Sequence, residues 1–254
     1  TATSLNLAIA STQGEIVARV DAQSVLPKNY FQQAVSTLLL TGAANVGGIQ
    51  KPVGKSRKQI CIANAMQSPF GSGTADFRGH GEEGPTDTVY LGTFQRSALN
   101  TIGGFDESFV RNQDYELNWR LREAGYVVWF EPKLCVHYTP RKTFGSLAVQ
   151  YFQYGSWKRI MLLKNPRSLR LRQVIAPMLL LGLVSSFTFL FLGSLIGIVV
   201  PAIYLVSTII AAAFTKSGSF FRDKLLIAVA FIVMHLSWGG GFLSDSLHQI
   251  NQST

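Results

Sequence analysis

The sequence predicts an α/β domain followed by an α-helical membrane region, and three observations carry that prediction. Strand-like and helix-like stretches alternate from Glu15 to Glu131. About 40 consecutive residues, 174–214, hold no charged side chain. Between the two lies a run with Lys158, Arg159, Lys164, Arg167, Arg170 and Arg172 and no acid.

Taken in order, EIVARVDA at residues 15–22 alternates and is rich in β-branched residues, which predicts a strand ending at Asp21. Pro27 opens a predicted helix over 28–40. A strand, an acidic tip and a helix form an α/β unit, and ligands of such sheets sit at the carboxyl ends of strands, which makes Asp21 a candidate contact. The stretch 42–88 is rich in Gly, Ser, Pro, Lys and Asn and shows no sustained period, so it reads as a long functional or mobile loop. A strand is expected at 88–94, a short helix at 96–101 and a turn at Gly103-Gly104-Phe105-Asp106. Helix 113–124 places Leu117, Leu121 and Ala124 on one face and stops at Gly125; a third strand is expected at 126–131.

Residues 145–164 read as an amphipathic helix whose Tyr151, Phe152, Tyr154 and Trp157 suit a membrane interface, with Gln150, Gln153, Tyr154 and Trp157 on one face. The charge-free stretch is too long for one crossing, since roughly 20 apolar residues span a bilayer. Two crossings are expected, 174–192 and 195–214, turning near Gly193 and Ser194. Pro177 falls in the first turn of the first, and Pro201 is expected to kink the second. A third apolar segment, 225–243, crosses or re-enters. The expected organisation is therefore 1–143 for the α/β part, 144–172 for the interface helix and basic belt, and 173–254 for the membrane region.

Charged residues make up 15% of the 254, against roughly 25% for a typical soluble chain. The net charge of +9 invites a nucleic-acid partner, but the cations concentrate ahead of the first apolar segment and no nucleic-acid module accompanies them. That distribution favours anionic lipid head groups and places the α/β part and the cationic loop 215–224 on the cytoplasmic side of an inner or plasma membrane. Cys61 and Cys135 form no metal pattern and read as small buried side chains.

Three acids stand out as chemistry: Asp21 at a strand end, Asp87 before a strand and Asp114 in the first turn of a helix. A helix N-terminus favours the ionised form that a general base needs. From its position alone Asp114 reads as a helix cap, and Glu116 as a salt-bridge or loop-holding group.

The segment GGFDESFVRNQDYELNWRLREAGYVVWFEP resembles the acceptor-side signature of family-2 glycosyltransferases of the GT-A fold, and SLNLAIASTQGEIVARVDAQS resembles their Asp-x-Asp nucleotide-sugar region. The loop pattern VGGIQKPVGKSRKQICIANAMQSPFGSGTADFR, with DTVYLGTFQR and QYFQYGSWKR, is similar to succinoglycan-type exopolysaccharide glycosyltransferases. The resemblance implies a partial GT-A, Rossmann-like domain, because members begin with a strand and helix that bind the nucleotide base and nothing before Ser4 supplies them. It implies an inverting, membrane-anchored enzyme that moves a sugar from a nucleotide-sugar donor to a lipid-linked glycan. Asp114 would be the base and Asp21, with Gln23, would meet the donor. Asp87, Arg141, Gln150, Tyr154 and Trp157 would serve the acceptor or pyrophosphate, although Arg141 also reads as a membrane-facing charge. A divalent metal, Mg2+ or Mn2+, would be held by Asp21 and His137. Gln23 replaces the second acid of the usual motif, and its neutral oxygen is a weaker ligand for a hard cation. Two other classes fit parts of the pattern: a polyprenyl-phosphate glycosyltransferase, and a non-catalytic membrane subunit of a polysaccharide assembly complex.

Overall fold

The computed structural model describes residues 2–217 and 220–244. In chain order the elements are α1 (Ala2–Ala10), β1 (Ile16–Ala18), β2 (Ser24–Val25), α2 (Tyr30–Thr41), β3 (Asn45–Pro52), α3 (Arg57–Gln67) and α4 (Pro69–Ser72). There follow β4 (Gly84–Pro85), β5 (Tyr90–Gln95), α5 (Arg96–Thr101), α6 (Gln113–Glu123), β6 (Val128–Tyr138) and α7 (Phe144–Lys164). The last three helices are α8 (Ile175–Phe191), α9 (Val199–Phe214) and α10 (Phe220–Leu243). The chain divides into two compact units: residues up to 52 with 74–139, and residues 53–73 with those from 140 onward.

The first unit is built on a mixed sheet in the order β1-β5-β3-β6-β2, with β4 also on β6. Only β3 and β6 run parallel. One core gathers Phe94, Phe105, Leu117, Leu121, Val128 and Phe130 beneath α5 and α6, and a second gathers Tyr30, Ala34, Leu38, Val46, Leu134 and Val136 beneath α2. Helices therefore cover the sheet on both sides, the layering of an α/β domain. Asn118 fastens α6 to the sheet, accepting from Asn45 Nδ2 at 2.6 Å and donating to Thr88 Oγ1 at 2.9 Å.

The stretch 42–88 is corrected most. It contains the eight-residue β3 and the eleven-residue α3. β3 shows no alternation because its first four residues are all buried, and Gly48 lies so close to β6 that a Cβ would sit 2.0 Å from the Leu134 carbonyl oxygen. α3 opens on a capping box in which Ser56 and Gln59 satisfy each other's backbone N–H groups, a signal present in the sequence as Ser-x-x-Gln. The predicted strand ending at Asp21 is shorter, closing at Ala18. The third strand runs on past Glu131 to Tyr138, across a register shift against β3 between Gly47 and Ile49.

The second unit is helical. Three stretches are long and apolar enough to cross a membrane: Leu171–Phe191, Leu195–Phe214 and Phe221–Leu243. A 3-10 turn over Leu195–Ile198 precedes α9, so Pro201 is the third residue of that helix rather than an interior one, and no kink is required there. The aromatic stripe of α7 also differs from expectation. Tyr151 and Trp157 are buried within the unit, because α10 packs along α7; Phe152 alone of the four is exposed. The basic belt is likewise thinned: Lys158 is buried, its Nζ donating to the Ser168 carbonyl at 2.9 Å.

Candidate active site

In the first unit, β1 delivers Arg19 and Asp21 to one edge of the sheet. Residues two apart on an extended chain point the same way, and here the Arg19 guanidinium contacts Asp21 Oδ1 at 3.0 Å through both Nε and Nη2. Its remaining Nη1 reaches Asp114 Oδ1. Asp114 is the second residue of α6, 95 positions downstream of Arg19. One guanidinium thus bridges two of the three acids singled out from the sequence.

After Asp21 the chain turns, with the Ser24 N–H on the Asp21 carbonyl at 2.9 Å, leaving Gln23 exposed and Asp21 half-buried. Tyr90 on β5 shares a 2.9 Å hydrogen bond with Ser24 Oγ. The next residue, Leu91, is buried at φ 49°, an uncommon backbone state for a side chain of its size, and its carbonyl accepts from Tyr30 at 2.7 Å. On the neighbouring strand, Gln50 accepts from Arg78 at 2.7 Å.

Burial raises the Asp114 pKa above its ordinary value, and the charge of Asp21 adds to the rise, while Arg19 opposes both. Burial pulls Arg19 down, but Asp114 and Asp21 outweigh it and leave the guanidinium more firmly protonated than usual. Burial also raises Tyr90. The Asp114 side chain keeps 38% of its surface exposed, so the carboxylate is open to solvent-borne molecules while the half-buried Arg19 favours its ionised form.

Around this cluster the signature segments lock together. Asn6 of α1 pairs with both backbone groups of Phe105, at 2.9 Å each, and so fixes the Gly-Gly-Phe-Asp turn. Glu116 is buried and binds Arg120 through both carboxylate oxygens, at 2.5 and 2.7 Å; Arg120 in turn holds the carbonyls of Ile102 and Gly104. Glu116 is thus the loop-holding group its spacing from Asp114 implied.

Asp87 is half-buried in the turn between β4 and β5. His137 is exposed on β6, opposite Val25 of β2 and Lys51 of β3. Among the described residues no three of His, Cys, Asp and Glu come together as a metal shell. With Asp21 Oδ1 already engaged by Arg19, the donor set does not form a ready divalent-cation cage. Cys61 is buried, Cys135 half-buried, and both are free thiols.

The second unit holds its own polar chain. Arg141 donates to Gln150 Oε1 at 3.2 Å, and Gln150 donates to Tyr154 across one turn of α7 at 2.8 Å. Trp157, one turn further, is buried.

The model of glycosyl transferase family 21 matches residues 5–248. The chain belongs to this family. It is 30% identical over 229 residues to the succinoglycan biosynthesis protein ExoA of Rhizobium meliloti (strain 1021), a match covering 90% of this chain and 69% of that protein. Among solved structures, the mannosyltransferase PcManGT of Pyrobaculum calidifontis, in complex with GDP-Man and Mn2+, aligns at a TM-score of 0.55 and 18% identity. That alignment covers 92% of this chain and 65% of the mannosyltransferase. At that identity the likeness concerns the fold, and it agrees with the Rossmann-like α/β unit followed by helices.

Sequence reasoning missed Arg19 in this cluster. The signal was available, since Arg-Val-Asp on a strand puts a cation and an acid on one side. Tyr90, Gln50 and Arg78 carried no such signal, because only the sheet order brings them near.

Proposed function

We propose that this chain performs the acceptor side of an inverting sugar transfer from a nucleotide-sugar donor to a lipid-linked glycan in exopolysaccharide or cell-envelope synthesis. The observation that carries the proposal is the shared guanidinium: Arg19 holds Asp114 and Asp21 together just beyond the carboxyl end of β1, the end of a strand at which α/β folds bind ligands. Asp114 is the base. It takes the proton of the acceptor hydroxyl as the oxygen attacks the anomeric carbon and the bond to the nucleotide diphosphate breaks. Asp21, with Gln23 beside it, meets the donor.

Arg19 links the two events. In the resting site it keeps Asp114 ionised against burial. When the charge of the leaving diphosphate develops, the same guanidinium is drawn to it, and electrostatic stabilisation of this kind is a large catalytic contribution. Loss of the Arg19 contact raises the proton affinity of Asp114 at the step where it must accept a proton. A divalent cation such as Mg2+ or Mn2+ would find one carboxylate here, with His137 on β6 opposite β2, and the steps above do not depend on it.

Asp87 is proposed as an acceptor contact. Gln150, Tyr154 and Arg141 are proposed to serve pyrophosphate or acceptor, with Trp157 packing behind them. The similarity to ExoA supports exopolysaccharide as the pathway, and the Pyrobaculum neighbour's GDP-Man supports a nucleotide-sugar as donor. α8 and α9 anchor the chain in an inner or plasma membrane with the site facing the cytoplasm, near anionic lipids.

The test is transfer from radiolabelled UDP- and GDP-sugars to extracted lipid acceptors in membranes carrying the protein. Elongation of a lipid-linked glycan, lost in Asp114→Asn, is the expected result. A product of one sugar on polyprenyl phosphate would overturn the acceptor assignment, and undiminished transfer by Asp114→Asn would overturn the base.

A further inference from the structure

Three helices have the length and composition of a membrane span, but they do not share an environment. α8 and α9 expose large apolar side chains over most of their surface, with Phe187 at 74%, Phe191 at 83% and Leu195 in the turn between them at 77%. Along α10 exposure is confined to the ends, at Phe221, Arg222, Leu225 and Leu243, and every residue from 226 to 242 is buried or half-buried. A helix that is apolar all round is surrounded either by lipid or by protein.

Five helices, α3, α4, α7, α8 and α9, pack against α10. Over its first half lie α3 and α4: Arg57 pairs with Asp223 at 2.6 Å, the Phe70 ring meets Phe231 at 5.0 Å, and the Phe70 carbonyl bonds the His235 ring at 2.7 Å. Over its second half lies α7. A Cβ on Gly155 would stand 2.1 Å from the Trp238 carbonyl oxygen, and one on Gly241 would stand 2.0 Å from that of Phe152. Ser156 Oγ donates to the Gly241 carbonyl at 3.1 Å. Small residues at the crossing are what permit two backbones to approach this closely.

The ends of α10 decide its path. α8 and α9 form an antiparallel hairpin, with Gly182 against Val200 and Gly197 against Ser186. The start of α8 and the end of α9 therefore lie at one mouth of that hairpin. The N-terminal end of α10 is tied to the end of α9, because Lys224 Nζ donates to the Ala213 and Thr215 carbonyls at 2.7 and 2.5 Å. Its C-terminal end is tied to the start of α8, where Gly239 faces the Ala176 carbonyl. Arg159 of α7 donates to the carbonyls of Leu243 and Ser244 at 3.0 and 2.7 Å. Cations accompany both ends: Lys216, Arg222 and Lys224 at one, Arg159, Arg170 and Arg172 at the other. A spanning helix would place one of these groups on the side away from the basic belt.

We propose that α10 does not cross the bilayer but packs along the mouth of the α8–α9 hairpin as a membrane-surface helix. Residues 217 and 244 then lie on one side, and α8–α9 is the only complete crossing among the described residues. This rests on the membrane reading of that hairpin given above.

The test is thiol labelling of the full chain in native membranes, with Cys61 and Cys135 changed to Ser and single cysteines at Ser194, Ser217 and Ser244. An impermeant reagent is applied to spheroplasts and to inverted vesicles. The expected result is that Ser217→Cys and Ser244→Cys label from one side and Ser194→Cys from the other. Ser244→Cys labelling together with Ser194→Cys overturns the path of α10 and leaves the hairpin standing. All three labelling from one side overturns the hairpin, and the α10 proposal with it. Protease protection of a tag after Thr254 reads the same side independently, so a sluggish thiol at 244 does not decide the outcome.

Discussion

The two polar clusters of this chain differ in the currency of their interactions. In the α/β unit, Arg19, Asp21 and Asp114 form a charged triad from one strand exit and one helix start. In the helical unit, Gln150 and Tyr154 form a neutral chain along one turn of α7, with Arg141 at its end. A charged cluster responds to pH and to each neighbouring charge; a neutral one responds to the placement of the helix that carries it. The first suits proton transfer and charge neutralisation, and the second suits positioning.

The largest expected effect removes the carboxylate proposed as the base. Asp114→Asn should lower transfer by roughly 100-fold or more, as loss of a positioned base does, while nucleotide-sugar binding by calorimetry stays within a few-fold. Residual transfer above about a tenth of the parent rate would place Asp114 outside the chemistry.

The next disturbs the scaffold of the neutral cluster. Gly155→Leu inserts a side chain where a Cβ alone would collide with the Trp238 carbonyl. Overpacking costs typically about 1–3 kcal/mol, so thermal unfolding in detergent should occur at a clearly lower temperature. Gly145→Ala is the control, because nothing lies within 4 Å of its Cβ position. Equal melting temperatures for the two would show that α7 and α10 do not approach as described.

A third prediction separates charge from position. Burial and Asp21 raise the Asp114 pKa, and Arg19 lowers it. A base works when ionised, so kcat/KM rises with pH through that pKa. Arg19→Met removes the opposing charge and should move the acid limb to higher pH; Asp21→Asn should move it to lower pH. Shifts in the same direction in both variants would mean that a different group controls the limb.

The smallest effect falls on the neutral cluster itself. Gln150→Ala removes one neutral hydrogen bond, to Tyr154, and one from the Arg141 guanidinium, worth about 0.5–1.5 and 1.5–3 kcal/mol. Acceptor KM should rise from a few-fold to about tenfold, with the acid limb unmoved. A displaced acid limb would erase the distinction between the two clusters.

Local chemistry carried much of this into the sequence. The helix from Gln113 was legible because Leu117 and Leu121 repeat on one face and Gly125 ends it. The pair of helices from 174 to 214 was legible because a charge-free stretch of that length is about twice what one bilayer span needs. Asp21 and Asp114 were legible as candidates because each occupies an element end, which is a local property. β3 was not, since a strand buried on both sides loses its alternation, and α3 was overlooked although Ser56 and Gln59 announced it.

Three things required the tertiary structure, and all are pairings of distant residues. Arg19 joins Asp21 to Asp114 across 95 positions, so the cation that sets the charge of the site is defined by sheet and helix packing. Lys158 reads as a belt cation until Ser168 is seen to bury it. α8, α9 and α10 look alike as strings of apolar residues, yet only the last is enclosed by α3, α4 and α7. Hydropathy records how much a helix avoids water. Whether lipid or protein takes the place of that water depends on which other segments pack against it, and composition does not encode that.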